Sequence, residues 1–275
     1  MMSGYEYIYD SCFRDTVILQ KQAGKISGVY KHTINFKIDQ TLFSILCGTK
    51  APLSAFFLYL PHIDSFEAFQ VMDGDLVSMT NTQLSLGSYR LPLQQGTYFQ
   101  PSPIAIERIG TGERSWYAEC LRRSNVNNGF VAYMLGAETG LNVIDQFMSD
   151  ALHLGQIDQL AGIGFGLTPA GDDFLCGYYT ALCFMNVDSS QLDQLELIIK
   201  AKWHRLSDVS RQQYEVCFRK RMSKIHLEFA KHFIENNAGD GEFLFNMLAR
   251  YGHSSGIDYS TGVAYAVLQK EKTNV

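Results

Sequence analysis

Residues 161–182 read AGIGFGLTPAGDDFLCGYYTAL. Five glycines fall between positions 162 and 177, with a Thr-Pro and an Asp-Asp pair set among them, and the chain then turns apolar. Thr168 suits a helix N-cap and Pro169 the first helical position, so a helix is expected from about Ala170 to Met185. Glycine admits positive φ and lets the backbone approach a ligand. Unpaired N–H groups at a helix start, with the macrodipole behind them, favour an anion. The stretch therefore reads as an oxyanion or phosphate cradle built from Gly164, Gly166, Leu167, Thr168 and Gly171. No Gly-Lys-Ser/Thr follows, which excludes a P-loop, and no dinucleotide fingerprint is evident.

Asp172 and Asp173 fall in the first turn of that helix. Compensation of the helix dipole is the bland reading of both, worth about 0.3–1 kcal/mol each. The sharper reading has them binding an amide or hydroxyl of a substrate, orienting a cation or acting as a base. Neighbouring helix positions diverge by about 100°, so one acid is expected to face the site and the other to brace a loop.

The same pattern returns further on. GDDFLCG at 171–177 and GIDYSTG at 256–262 both fit Gly-x-Asp-[Phe/Tyr]-x-x-Gly. Asp173 then matches Asp258, and Gly171 and Gly177 match Gly256 and Gly262. A loop rich in Gly, Ser and Thr opens each apolar helix. Mid-helix glycine costs about 1 kcal/mol against alanine, and close helix–helix packing is the compensation expected. The two helices are thus expected to pair, with approximate twofold symmetry and converging N-termini.

Around this pair, the sequence from about Ser115 onward repeats its apolar positions every three or four residues. SWYAECLRR, NGFVAYMLGAE, NVIDQFMSDALHL, SSQLDQLELIIKAKWHRL, RQQYEVCFRKRMSKIHLEFAKHFIEN, GEFLFNMLARYG and DYSTGVAYAVLQ all read as helices. Before position 110 the runs are short and rich in β-branched and aromatic residues: DTVILQKQ (15–22), TINFKI (33–38), TLFSILC (41–47), SAFFLYL (54–60), LVSM and TQLSLG. Asp39-Gln40 suits a hairpin turn, and DSFEAFQVM (64–72) a short helix capped by Ser65. The expected architecture is α+β: a β-rich barrel or sandwich over 1–110, then a helical domain over 111–275 carrying the glycine loop.

Hydrophobic residues make up 46% of the 275 positions, enough for a substantial core, and the low charged fraction of 19% hints at a subunit interface and an oligomer. The formal charge of −5 and the lack of a basic stripe argue against nucleic acid. Six cysteines without a C-x-x-C fit free thiols in a reducing cytoplasm. The N-terminal residues do not resemble a signal peptide, and no apolar run is long enough for a transmembrane helix.

The glycine stretch, together with LSDVSRQQY (206–214) and YGHSSGIDYSTG (251–262), resembles a bacterial family long without assigned function. Its members carry Gly-x-Gly-x-Gly-Leu-Thr-Pro-Ser/Ala-Gly-Asp-Asp-Phe, and it includes the AllH-type subunit of oxamate carbamoyltransferase, from anaerobic allantoin breakdown. Some members carry the label carboxylase. Ala170 stands where many relatives have serine. The resemblance implies splitting of oxalurate by phosphate into oxamate and carbamoyl phosphate, alongside other subunits, one of them FdrA-like. Small anions of that kind need fixed donors, positioning and electrostatics rather than a covalent cofactor.

Further candidates follow. His253 could donate to a phosphate oxygen or act as acid or base, with Ser254, Ser255 and Gly256 beside it. Ser210 and Arg211 offer a hydroxyl and a guanidinium fork for an anion, with an exposed surface arginine as the plain alternative. His226 and His232 are assigned to the surface, and the basic run RKRMSK (219–224) to a solvated helix face. There is no zinc spacing, so no metal site is assigned; magnesium on Asp172 or Asp173 with a substrate phosphate stays open. Asp172, Asp173, Asp258 and His253 are the catalytic candidates. A non-catalytic anion-binding or scaffolding subunit, with the chemistry on a partner protein, is the alternative.

Overall fold

In a computed structural model, eight strands close into a barrel: β1 (Tyr5–Tyr9), β2 (Gly24–Val29), β3 (Thr33–Ile38), β4 (Thr41–Cys47), β5 (Phe57–Leu60), β6 (Leu76–Met79), β7 (Gln83–Leu86) and β8 (Tyr89–Tyr98). The structure describes residues 4–48, 54–100, 104–111, 114–124, 126, 130–131, 159–164, 167–250 and 254–273. Around the barrel the order is β1-β5-β4-β3-β2-β6-β7-β8, and the ring closes through β1 against β8. Neighbours are antiparallel except β4 with β5 and β1 with β8. The expected hairpin joins β3 to β4, with Asp39 at φ 53° in the turn. Its register sets Ile34 opposite Ile45 and Phe36 opposite Phe43, all four buried. Closure removes the exposed strand edge that an open sheet would carry.

Two expectations fail in this unit for local reasons. DTVILQKQ is not a strand. Asp10 accepts from the amides of Cys12 and Phe13, starting a helical turn α1 (Ser11–Phe13) that continues as a π-helical segment over Arg14–Leu19. That segment buries Phe13 and Val17, four residues apart, and the Phe13 ring meets Phe36 and Phe43 edge-on. Residues 64–72 do not form a helix either. Phe66 and Phe69 pack edge to face, and the Tyr89 hydroxyl accepts from the Gln70 amide and donates to the Ala68 carbonyl, taking backbone groups a helix would have used.

The chain divides into two units, Met1–Ser102 and Pro103–Val275. Helices of the second are α2 (Ser115–Arg123), α3 (Ala170–Phe184), α4 (Ser189–Ala201), α5 (Asp208–Phe218), α6 (Lys224–Ile234), α7 (Ala238–Leu248) and α8 (Ser255–Thr273). The fold class is α+β, a barrel followed by a helical part. The helices read at 128–138 and 142–154 lie almost wholly outside the described residues. The long reading over 211–236 divides in two: Lys220 takes φ 56° and α6 restarts after Ser223. The basic run at 219–224 is therefore mostly a connector rather than a helix face, and its Met222 is buried.

α3 and α8 form the centre of this unit. A Cβ on Gly177 would run into the Tyr259 carbonyl, and a Cβ on Gly262 into the Phe174 carbonyl. Phe174 and Tyr259 are equivalent positions of the repeated motif, as are Gly177 and Gly262, so the contact is reciprocal. Outside the pair the correspondence holds again: Gly171 lies against the Leu160 carbonyl and Gly256 against that of Leu248. The helices run parallel. Thr168 Oγ1 and Ser255 Oγ meet at 3.0 Å at the N-terminal end, and Lys270 Nζ donates to Met185 O at 3.0 Å at the C-terminal end. Lysine is well placed there, against a helix C-terminus.

Candidate functional site

The helix starts at Ala170, as expected, but its cap is Pro169 and not Thr168. Pro169, at φ −55° and ψ 145°, occupies the capping position of α3 and makes no side-chain cap. The Thr168 hydroxyl meets Ser255 Oγ instead. Before it, Gly162 and Gly164 take φ 81° and 124°, conformations that side chains resist. Gly164 also lies against the Ala170 nitrogen, where a Cβ would not fit. Gly166 lies outside the described residues.

The glycine loop satisfies part of itself. Ile163 N donates to Leu160 O, Gly171 N to Ile163 O, and Asp172 N and Asp173 N to Pro169 O. The Gly162 amide donates to Asp172 Oδ1 at 2.8 Å. Among the described residues, the amides of Gly164, Leu167, Thr168 and Ala170 make no such bond. At the start of α8, Ile257 N and Asp258 N turn back to Ser254 O, while the amides of Ser255 and Gly256 make none. Gly162–Gly164 and Leu167 are exposed, and Thr168 and Ser255 are half-buried.

Asp172 is fully buried. Its Oδ1 accepts from the Gly162 amide and, at 2.9 Å, from the Tyr214 hydroxyl of α5. Burial raises its pKa, against the stabilising pull of Ser210, Gly162 and Tyr214. The Tyr214 hydroxyl, buried and bonded to a carboxylate, is pushed well above its usual value. This is the loop brace that the divergence of adjacent helix positions requires.

Asp173 has a different environment. It is 2% exposed, and its Oδ1 accepts from Gln213 Nε2 of α5. Burial pushes its pKa up to about 8, with the Asp258 and Asp172 charges adding to the rise and Gln213 and Ser255 opposing it. The Ser255 hydroxyl adjoins the carboxyl without closing a bond to it, and the Oδ2 oxygens of both Asp172 and Asp173 have no partner among the described residues. Asp258 is fully buried at the matching place on α8. Two helix N-termini thus hold three buried acids just inside a pair of hydroxyls.

The other candidates are placed as follows. Ser210 is buried; its amide donates to Ser207 Oγ at 3.0 Å and its hydroxyl lies 3.1 Å from that oxygen, which donates to Leu167 O at 2.7 Å. Arg211 directs Nε and Nη2 at the Leu206 carbonyl and Nη1 towards Asp208 at 3.7 Å, so its fork closes the turn before its own helix. Leu167 is 51% exposed and offers its carbonyl to Ser207. His253 lies outside the described residues.

His226 corrects its surface reading. Its ring stands edge-on to Tyr259 at 4.7 Å, its Nδ1 meets Ser223 Oγ at 2.6 Å, and burial holds its pKa down to about 4. Ser223 stands at the N-cap of α6 without a side-chain cap bond, its hydroxyl taken by His226. His232 is half-buried, 3.8 Å from Asp240. No group of three or more His, Cys, Asp or Glu that could hold a metal occurs among the described residues. All six cysteines are free thiols, and no helix among the described residues is long and apolar enough to cross a membrane.

Gln213, Tyr214 and Ser207 were not singled out from sequence. Gln213 and Tyr214 lie inside the segment LSDVSRQQY, where the only signal was the resemblance itself.

Residues 160–267 match the family model for oxamate carbamoyltransferase subunit AllH. The match runs from the glycine loop through most of α8, so it covers both copies of the motif and bears out the resemblance there. No curated protein and no solved structure matches the chain.

Proposed function

We propose that this chain is a subunit of a carbamoyltransferase acting on a small anionic carbamoyl compound, with oxalurate and phosphate going to oxamate and carbamoyl phosphate. The supporting observation is the meeting of two helix N-termini at Thr168 and Ser255, with unpartnered amides on both sides and buried carboxyls directly behind. Exposed amides at paired helix starts suit phosphate or carboxylate. The carboxyls of Asp173 and Asp258 suit the amide N–H groups of a carbamoyl function. Asp172 serves the loop. FdrA-like and other carbamoyltransferase subunits are the expected partners.

Phosphate-dependent formation of carbamoyl phosphate from oxalurate tests this, with the purified chain alone and with its partner subunits added. Product only in the assembled mixture, abolished by Asp173→Asn, is the expected result. Product at the wild-type rate from partners without this chain would refute it. A scaffolding subunit with the chemistry on a partner is the second reading, favoured by the near-complete burial of Asp172, Asp173 and Asp258.

A further inference from the structure

The two sides of α7 differ from what an ordinary surface helix presents. Its inner side buries Gly241, Leu244, Phe245 and Leu248, with the Trp116 ring against Gly241 and the Tyr117 and Phe229 rings against Phe245. Its outer side, where an amphipathic helix turns polar groups to water, carries Phe243, 64% exposed, and Met247, 42% exposed. Four residues apart, these side chains are neighbours on the helix surface. Phenylalanine, methionine and arginine are residue types enriched where protein surfaces meet. Asp240 stands exposed in the first turn of α7, and Arg250 stands exposed just past its end. Asp240 accepts from Asn237 Nδ2 at 3.1 Å and still leaves 66% of its side chain in solvent. Arg250 makes no side-chain ion pair among the described residues. At 100° per residue, Asp240, Phe243, Asn246, Met247 and Arg250 fall within an arc of about 120°.

We propose that this outer face of α7 is the contact between two copies of the chain, packed antiparallel about a twofold axis at the level of Phe245. The order of the face, acid, apolar pair, base, is complementary to its own reverse. Asp240 and Arg250 lie equally far from Phe245 along the chain, and so do Phe243 and Met247. A single register therefore sets Phe243 of each copy on Met247 of the other and Asp240 of each copy against Arg250 of the other. Such an isologous contact needs one patch that matches itself, which selects a second copy over an unrelated protein. Asn246 lies beside the axis, and its amide, both donor and acceptor, can bond its own copy there. Arg123 and Glu242, at the edge of the face, already satisfy each other at 3.1 Å within one copy.

Sedimentation velocity of the full chain from about 1 to about 100 µM is expected to show a species of twice the chain mass that grows with concentration. Every substitution in a twofold contact acts twice, so Phe243→Lys is expected to raise the dissociation constant roughly a hundredfold. Leu197→Ser, at an exposed apolar position on α4, is expected to leave it unchanged. Asp240→Lys alone sets cation against cation at both ends, and Arg250→Asp alone sets acid against acid. Each is expected to weaken self-association about tenfold. Mixed in equal amounts, those two variants place opposite charges at both ends, and wild-type affinity is expected to return. All of these positions are exposed, so denaturant midpoints should match wild type and separate lost contact from lost folding. A chain that stays single throughout, a pair indifferent to Phe243→Lys, or a mixture no tighter than its components would overturn the contact. Loss of another subunit's binding in Phe243→Lys, with self-association intact, would give the face to a different partner and overturn it equally.

Discussion

The starts of α3 and α8 are built from the same motif and used differently. Both place a glycine two residues before a buried aspartate and another four after it, and both press the second glycine onto the partner's backbone. Of the positions at which the two motifs differ, one changes how the helix start is used: where α3 has Asp172, α8 has Ile257, and both are buried. The apolar residue fills space. The acid reaches back to the Gly162 amide and across to Tyr214, holding a loop that has no counterpart bond before α8 among the described residues. Symmetry in this pair carries the packing, and the departure from symmetry carries the glycine loop.

The comparison breaks most readily at the shared part. Gly177→Ala and Gly262→Ala each set a methyl group against a backbone carbonyl that has nowhere to move. Each is expected to cost above about 3 kcal/mol, the upper end of overpacking penalties. Denaturant midpoints measure both, and a tolerated change at one site only would end the claim that the sites are equivalent. At the point of difference, Asp172→Ala strands the Gly162 amide and the Tyr214 hydroxyl, with an expected loss of about 2–3 kcal/mol. Hydrogen exchange at the Gly162 amide should quicken in the same variant; an unchanged amide would mean the acid does not hold the loop.

Asp173 sharpens the comparison through pH. Its pKa in the folded chain, about 8, lies above that of an unfolded aspartate. The fold therefore prefers the protonated acid. That contribution is complete below the ordinary carboxylate pKa and is lost as pH rises through the folded value. Asp173→Asn should gain on wild type by about 2 kcal/mol between about pH 6 and about pH 8, read from stability curves at each pH. A difference that shrinks with rising pH would reverse the assignment. The smallest effect is a control. Gly239 in α7 has nothing near the place of a Cβ, so Gly239→Ala should stabilise by about 0.5–1 kcal/mol. Destabilisation there would show that glycine loss is costly for reasons other than close approach.

What the sequence could show follows from range. The α3–α8 pairing was legible because each glycine and its acid sit within one short motif, and the motif occurs twice. β3 and β4 were legible because a two-residue turn joins them. β1 and β2 were not read as strands, and the closure of β1 on β8 depends on a parallel pairing between chain positions far apart. Asp10 looked like any acid, yet its two oxygens start a helical turn where the composition spoke for a strand. Gln213 reaches Asp173 across 40 residues and Tyr214 reaches Asp172 across 42, with no local pattern to announce either. His226 lies in a polar-looking stretch, and only the neighbouring helix covers it with Tyr259.

The central claim is that the two helix starts meet to grip one small anion. A crystal of the chain soaked with carbamoyl phosphate tests it most directly. Density bridging Leu167–Thr168 and Ser255–Gly256 is the predicted result; well-ordered ligand elsewhere, with those amides still bare, would contradict it.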